Sequence, residues 1–196
     1  MVITLWVAQL DRMLTGEEEQ RLMAALPEQR RIRLEQVRQP ERRREPLCAY
    51  WLLHRALREQ YGWTELPPMA YGPLGKPYFP GHPGFHFGIS HTGGAVLVGL
   101  ADREIGVDIE KIRPVGENML RRFGGDTVDG FFSGWVRREA RAKRAETPVE
   151  LREESPLAEG EQVYRMERFP GYAACAVYLG EEEPEVRFLT MQELLY

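Results

Sequence analysis

The hydrophobic and polar positions of residues 85–110, which read FHFGISHTGGAVLVGLADREIGVDIE, predict three strands. The first five positions alternate aromatic or branched residues with polar or small ones, a pattern typical of a strand with one buried face. A Thr-Gly-Gly turn follows at 92–94, and the apolar run 95–100 is long enough for a buried second strand. Because another turn then leads into 105–110, the pattern predicts a meander of three strands.

The third of these strands carries alternating apolar and acidic residues. Successive side chains of a strand point to opposite faces, so Val107 and Ile109 are expected in the core. Asp108 and Glu110 must then lie side by side on the other face. Two neighbouring carboxylates repel each other unless a positive group lies between them, and a divalent cation is the simplest such group.

Periodicity and turn residues predict the remaining elements. Further strands are expected at 2–10, 162–167 and 173–179, the last two as a hairpin. Helices are expected at 15–26, 47–61, 131–143 and after 190, with a short one near 119–123. Thr15 is expected to cap the first of them, and Thr190-Met191-Gln192-Glu193 resembles a capping box at the last. We expect Pro46 in the first turn of its helix, because a proline in a helix interior removes a hydrogen bond.

Composition limits the classes of function. The chain has 196 residues, 43% hydrophobic and 29% charged, which is ordinary for a soluble globular protein of one domain or two small lobes. Its net charge of −4 argues against broad nucleic-acid binding. No apolar run approaches the roughly 20 residues of a membrane span, and the apolar start lacks a basic leader. Cys48 and Cys175 lie in apolar runs and look like buried thiols, so we expect a reduced, cytoplasmic protein.

Arginines are concentrated between residues 30 and 44 of this otherwise acidic protein. The arginines of this patch are Arg30, Arg31, Arg33, Arg38, Arg42, Arg43 and Arg44. They either form a solvated helix face or bind a phosphorylated ligand. The sequence leaves both interpretations open.

Short motifs follow one another in the middle of the chain. They are Gly75-Lys76-Pro77, Phe87-Gly88-Ile89-Ser90-His91, Ile105-Gly106-Val107-Asp108-Ile109-Glu110 and Trp135-x-x-x-Glu139-x-x-x-Lys143. Singly, each has an ordinary explanation: Glu139 and Lys143, for example, are spaced for a salt bridge within one helix. Together and in this order they resemble the 4′-phosphopantetheinyl transferase superfamily, of the longer single-chain type typified by the surfactin-synthetase activator. The superfamily signatures (I/V)G(V/I)D(I/V)E and W-x-x-KE-(A/S)-x-x-K are both met, with Arg138 where lysine is usual.

The resemblance implies a fold and a reaction. Members of this superfamily have an α+β fold built as a pseudo-two-fold pair of similar lobes, here expected at 1–104 and 105–196. Coenzyme A binds between the lobes, with most of its contacts from the first; the second carries the metal site and docks the carrier protein. The enzymes depend on Mg²⁺, transfer phosphopantetheine from coenzyme A to a serine of an acyl or peptidyl carrier protein, and release 3′,5′-ADP. A two-lobed chain would not need a partner subunit to complete its site, so a monomer is expected.

The resemblance also implies roles for single residues. The metal ligands of the family correspond to Asp108, Glu110 and Glu139. Its coenzyme A contacts correspond to Arg44, Lys76, Pro77, Ser90, His91 and Lys143. We expect Glu139 to act as general base toward the serine, and Lys143 and His91 to neutralise charge on the leaving diphosphate.

Two departures from the family pattern bear on the function. The connection 111–134 is short, with Gly124-Gly125-Asp126 where many relatives carry a longer helical insertion that helps to dock the carrier. The usual Gly-x-Gly-Leu after Lys143 is replaced by Arg144-Ala145-Glu146-Thr147, which could alter the pantetheine channel. Two other functions stay open: a carrier-binding homologue with little or no activity, and a Mg²⁺-dependent nucleotide phosphohydrolase.

Overall fold

Six helices and nine strands make up the part of the chain that the structure, a computed structural model, describes: residues 2–122, 127–151 and 155–196. The strands are β1 (Thr4–Gln9), β2 (Ala70–Tyr71), β3 (Pro77–Tyr78), β4 (His86–Thr92), β5 (Ala95–Ala101), β6 (Ile105–Lys111), β7 (Glu161–Arg165), β8 (Tyr172–Leu179) and β9 (Glu185–Leu189). The helices are α1 (Gly16–Ala24), α2 (Glu28–Glu35), α3 (Pro40–Tyr61), α4 (Glu117–Arg122), α5 (Val128–Ala145) and α6 (Met191–Leu195). This mixture of helices and largely antiparallel sheets confirms the predicted α+β class.

The first two strands of the predicted meander pair as expected, but the third leaves their sheet. β4 and β5 are antiparallel neighbours, with Ile89 opposite Val98, in a sheet of order β4-β5-β1-β9. β6 instead hydrogen-bonds to β8 in a second sheet, of order β6-β8-β7. The prediction of one three-stranded meander is therefore wrong. Because Gly88 and Gly99 carry no side chain, β6 packs across the face of the first sheet, with Val107 against both glycines.

The two sheets stack between layers of helices. One core cluster joins the first sheet to α1, α3 and α6, through residues such as Trp6, Leu53 and Leu194. A second cluster fills the space between the sheets and contains Val107 and Ile109, as their alternation predicts. A third, smaller cluster packs α5 on the outer face of the second sheet. The face of β6 that carries its acidic residues is consequently turned toward α5.

Local signals near both ends of the chain are confirmed. Thr15 caps α1 and Thr190 caps α6, each in a reciprocal pair with a glutamate in the first turn. The expected hairpin at 162–179 forms from β7 and β8. The short helix expected near residue 119 is α4, while Phe123, at its expected end, lies outside the described residues.

Helix α3 runs through Pro46, so the prediction that Pro46 lies in a first turn is wrong. Pro40 takes the first helical position, where the missing N–H has no intrahelical partner to lose. The buried side of the helix, including Leu47 and Leu53, packs on the first sheet and offsets the hydrogen bond lost at Pro46. Arg44 therefore lies in the same rigid helix as these core residues.

The ends of the chain meet in the first sheet. β9 pairs in parallel with β1, with Trp6 opposite Arg187. The expected division of the chain at residue 104 stays a prediction. The pairing of β1 with β9 links the range 1–104 to the range 105–196. In the ranges that the structure describes, no helix is both long enough and apolar enough to cross a membrane.

Candidate active site

Strand β6 and helix α5 approach each other closely beside the acidic residues of β6. A side chain at Gly106 would overlap the backbone of Ala140 and Arg144, so only glycine allows α5 to lie at this distance. This close approach brings Lys143 of α5 to Asp108 of β6. The candidate site is thus built on two regular elements rather than on a loop.

Asp108 is buried, with 4% of its surface exposed, yet only one of its oxygens is bonded. Oδ1 accepts hydrogen bonds from Ser90 Oγ at 2.8 Å and from Lys143 Nζ at 2.5 Å. Ser90 Oγ in turn accepts from the backbone N–H of Ile109 at 3.3 Å. Oδ2 is buried and has no hydrogen-bond partner among the described residues. Since a buried carboxylate oxygen without a partner costs free energy, Oδ2 is placed to accept a ligand.

Glu110 lies on the same side of β6 as Asp108. Its Oε2 accepts hydrogen bonds from Thr92 Oγ1 and from Arg113 Nη1, each at 3.3 Å. Ser90 and Thr92 of β4 therefore contact the two acidic residues of β6 as successive polar pairs. The sequence analysis missed Thr92; its place two residues after Ser90, on the same face of the strand, is the signal that could have identified it.

Glu139 lies on α5 one turn before Lys143. Burial raises the pKa of Glu139, and the negative charges of Asp108 and Glu110 raise it further. Lys143 opposes this shift, but its ion pair is with Asp108 instead of with Glu139. Within the described residues, no group of three or more acidic, histidine or cysteine side chains is close enough to hold a metal ion. The metal site formed by three carboxylates therefore stays a prediction.

The oxygen donors of this site suit a hard cation such as Mg²⁺. Mg²⁺ prefers oxygen ligands and keeps several waters, so one or two carboxylates together with phosphate oxygens are sufficient. Asp108 Oδ2 supplies a buried oxygen without a partner. A cation beside it would also relieve the repulsion that contributes to the raised pKa of Glu139.

A cavity of about 360 Å³ opens beside Glu139 and Lys143. Lys76 and Pro77, from the β2–β3 hairpin, line it together with Glu139 and Lys143. Lys76 Nζ donates to the carbonyl of Arg144 at 3.2 Å, and burial lowers the pKa of Lys76. Apolar side chains complete the wall: Ile89, Ile105, Pro148 and Val149. The cavity thus has a cationic part and an apolar part.

His91 lies between the carboxylate site and the arginine patch. Glu45 and Arg30 act on it from the side of the patch, and Lys143 and Asp108 act on it from the carboxylate site. Arg44 and Glu45 are neighbours in α3, and Arg44 Nη2 lies 2.8 Å from Glu45 Oε1. Of these two predicted coenzyme A contacts, Arg44 is therefore part of the arginine patch, whereas His91 lies between the patch and the carboxylates.

Three arginines of the patch have contacts beyond those of a solvated face. The guanidinium of Arg30 lies 4.7 Å from the ring centre of Tyr50, and that of Arg33 lies 5.0 Å from Tyr71. The Nε atoms of Arg30 and Arg44 are buried and have no hydrogen-bond partner among the described residues. Buried guanidinium donors without partners favour the interpretation that this patch binds an anion.

The predicted site residues thus fall into two groups. The first contains Ser90, Asp108, Glu110, Glu139 and Lys143, with Lys76 and Pro77 on the adjoining cavity wall. The second contains Arg44, and His91 lies between the two groups. Trp135, from the same signature as Glu139, stacks on Phe131 with ring centres 6.4 Å apart, which is a packing role.

Comparison with known proteins identifies the family. No family model matches the chain. A 4′-phosphopantetheinyl transferase of Bacillus subtilis is 30% identical over 151 residues, which cover 69% of this chain and 67% of that relative. The 4′-phosphopantetheinyl transferase Sfp of Bacillus subtilis is 29% identical over 119 residues, 60% of this chain and 53% of that relative. The 4′-phosphopantetheinyl transferase AcpT of Salmonella typhimurium is 40% identical over 112 residues, 49% of this chain and 58% of that relative.

The chain belongs to the 4′-phosphopantetheinyl transferase family, a family of enzymes, as the resemblance of its motifs indicates. It spans two thirds of the first of these relatives and little more than half of the other two.

Proposed function

We propose that this protein transfers 4′-phosphopantetheine from coenzyme A to a serine of an acyl or peptidyl carrier protein, with Mg²⁺, and releases 3′,5′-ADP. The observation that carries the proposal is the buried Asp108, bonded to Ser90 and Lys143 through one oxygen while the other has no partner. Lys143, the partner of this carboxylate, lines a cavity together with Lys76. Carboxylate oxygens for a cation and lysines for phosphates are what a reaction at a diphosphate requires.

The cavity suits the pantetheine arm and the diphosphate of coenzyme A. Its apolar wall fits the pantetheine arm, while Lys76 and Lys143 fit the diphosphate. Pro77 and Ser90 would border the bound molecule. Arg44, in the arginine patch, would meet the 3′-phosphate, because guanidinium groups bind phosphate oxygens in a bidentate manner. His91, on which Lys143 also acts, would lie beside the diphosphate.

Asp108, Glu110 and Glu139 would hold the magnesium ion. When bound, the ion would offset the negative charge of the diphosphate and polarise the phosphorus under attack. Its other ligands would be water and phosphate oxygens.

The residues of the chain itself account for proton transfer and charge balance. Glu139, directly or through a water molecule, takes the proton of the carrier serine. The serine oxygen then forms a bond to the phosphorus that carries pantetheine, and the bond from this phosphorus to the oxygen shared with 3′,5′-ADP breaks. The electron pair leaves with 3′,5′-ADP, whose new negative charge Lys143 and His91 neutralise.

We further propose that the fold consists of two similar lobes, 1–104 and 105–196, related by a pseudo-two-fold axis. The order of elements supports this proposal: β1-α3-β4-β5 recurs as β6-α5-β7-β8. The sheet orders agree as well, β4-β5-β1 in the first and β7-β8-β6 in the second. Such a chain completes its site alone, so we propose a monomer. We further propose that the protein is cytoplasmic and that its partners are coenzyme A and a carrier protein.

One assay tests the function. The protein is incubated with coenzyme A, Mg²⁺ and several apo-carrier proteins, and the carriers are weighed by mass spectrometry, with and without a chelator of divalent cations. We expect a carrier to gain the mass of one phosphopantetheine, and the chelator to prevent the gain. Unmodified carriers that co-purify with the protein would instead indicate a binding homologue. Consumption of nucleotide without carrier modification would indicate a phosphohydrolase.

A further inference from the structure

The C-terminal end of α5 has an unusual backbone. Glu146 follows the helix with φ 50° and ψ 49°, and it is the one residue other than glycine with a positive φ among the described residues. Helices commonly end in this conformation at glycine or asparagine, since a side chain there is strained by about 1 kcal/mol. The position is also part of the segment in which the chain departs from its family, Arg144-Ala145-Glu146-Thr147.

The carboxylate of Glu146 lies directly against Gly72. A methyl group added at Gly72 would overlap the Oε2 and Cδ atoms of Glu146. Gly72 opens the turn that carries Lys76: its N–H donates to the Lys76 carbonyl at 2.9 Å, and the Gly75 N–H donates to the Gly72 carbonyl at 2.9 Å. The end of α5 and the β2–β3 turn are thus joined through one carboxylate.

This contact places a negative charge beside the lysine of the cavity. Glu146 and Lys76 both line the cavity of about 360 Å³. Among the charged groups around Lys76, Glu146 has the largest effect on its pKa, opposing the lowering by burial. Lys76 is also bonded to the carbonyl of Arg144, two residues before Glu146.

We infer that Glu146 weakens the binding of phosphate-bearing ligands in this site: its carboxylate lies at the turn of Lys76, where it competes with ligand phosphates for the charge of this lysine. The inference rests on the proposed function, because coenzyme A is the ligand that brings the phosphates. Glu146 is a positioning residue, since it acts on the ligand through Lys76. Replacing it should therefore change binding in a way that depends on charge.

The first experiment measures the binding of coenzyme A by titration calorimetry. Glu146→Gln keeps the size and the contact of the side chain and removes its charge. We expect the Kd for coenzyme A to fall about three- to fivefold at low salt, the effect of one partly exposed charge. At about 0.5 M salt the difference from the unmodified protein should nearly vanish, because such an interaction is screened. Glu117→Gln, at an exposed residue of α4, is the matched control and should leave the Kd unchanged.

A second experiment tests the contact itself. Gly72→Ala leaves the charge in place, and its methyl group pushes the Glu146 carboxylate away from the turn. We expect Gly72→Ala alone to lower the Kd by a similar factor. It should have no effect when combined with Glu146→Gly, which retains the left-handed backbone. Such a lack of additivity is the mark of two residues that act through one contact.

The outcomes separate the inference from the function on which it rests. Tighter binding by Glu146→Gln at low salt, lost at high salt, supports the inference. Coenzyme A binding that is the same in all variants overturns it and leaves the proposed function standing, as does a Gly72→Ala effect that persists in the Glu146→Gly background. Failure of the unmodified protein to bind coenzyme A removes the proposed function and the inference together.

Discussion

At the scale of one residue, the burial of Asp108 costs the fold stability. Taking a carboxylate out of water costs several kcal/mol unless its partners compensate. Lys143 and Ser90 satisfy one oxygen, whereas Oδ2 is buried without a partner among the described residues. Apolar residues at such positions often give equal or greater stability. The residue is therefore better explained by ligand binding than by folding.

The first prediction concerns the proposed general base. Glu139→Gln keeps the shape of the side chain but removes a proton acceptor and a negative charge, so kcat should fall about 10²- to 10⁴-fold. The pKa of Glu139 is raised by burial, which means that the fold disfavours its ionised form. The free energy of unfolding at neutral pH should consequently stay level or rise slightly. Mass-spectrometric turnover and urea unfolding measure the two effects.

Glu181→Gln serves as the control for this variant, because Glu181 is exposed after β8, outside the connection 111–134, and should affect neither quantity. Turnover of Glu139→Gln close to that of the unmodified protein would remove Glu139 from the proposed mechanism.

The second prediction concerns Glu18, whose carboxylate is far more acidic than usual. Arg12 donates two hydrogen bonds to it, at 2.8 and 2.7 Å, and lowers the pKa of Glu18 to about 2, assisted by the backbone N–H of Thr15. Because the folded-state pKa lies below the ordinary 4.5, ionised Glu18 stabilises the fold above pH 4.5. This contribution is lost as the pH falls toward 2.

Glu18→Gln should accordingly lower the free energy of unfolding by about 1–2 kcal/mol at pH 7, a modest value because Arg12 is 45% exposed. The difference should shrink as the pH approaches 2, as measured by urea titrations across this range. Glu181→Gln, at an exposed position, should change stability by less than about 0.5 kcal/mol at every pH. A pH-independent loss at Glu18 would mean that its packing, rather than its charge, stabilises the fold.

At the scale of secondary-structure elements, the approach of α5 to β6 decides whether a site forms at all. The approach depends on Gly106, and it places Lys143 beside Asp108. The same device, a glycine beneath a close contact, lets β6 pack over β4 at Gly88. Two strands and a helix from distant parts of the chain thereby present their polar residues to one space.

The third prediction tests this approach. Gly106→Ala forces its methyl group against the backbone of α5, so we expect a loss of about 3 kcal/mol in the free energy of unfolding and a fall in kcat. Gly134→Ala is the matched control, because its methyl group meets little but the Arg138 side chain. It should stabilise the protein by up to about 1 kcal/mol through helix propensity. Equal stability of the two variants would contradict the importance of the close approach.

At the scale of the whole molecule, the last residues of the chain complete the first sheet and its core. β9 pairs with β1, and α6 buries Met191, Leu194 and Leu195 against α3. Trp51 of α3 donates from Nε1 to the carbonyl of Leu194 at 2.8 Å. We therefore expect the described chain to unfold as one cooperative unit.

The fourth prediction follows from this arrangement. Leu194→Ala should lower the free energy of unfolding by about 2–4 kcal/mol and shift a single transition, because it opens a cavity in the core that both ends of the chain share. Leu157→Ala, at a residue 52% exposed, should change stability by less than about 0.5 kcal/mol. Urea unfolding followed by tryptophan fluorescence measures both. Two separate transitions for Leu194→Ala would show that the lobes fold independently.

The sequence alone predicted the features that depend on near neighbours in the chain. The caps at Thr15 and Thr190 were recognisable, because a capping pair is three residues apart. The inward direction of Val107 and Ile109 followed from a period of two residues. The family was identifiable from short motifs at fixed spacing, and its relatives bear this out.

The tertiary structure decided which elements meet. β6 joins β8 instead of β5, α3 continues through Pro46, and Lys143 pairs with Asp108 instead of with Glu139. Local periodicity carries no information on these choices, since each depends on which of several distant surfaces buries more apolar area and leaves fewer polar groups without partners. The sequence by itself therefore determined the elements and the chemistry that they carry, whereas packing across the whole chain determined the neighbours of each carboxylate.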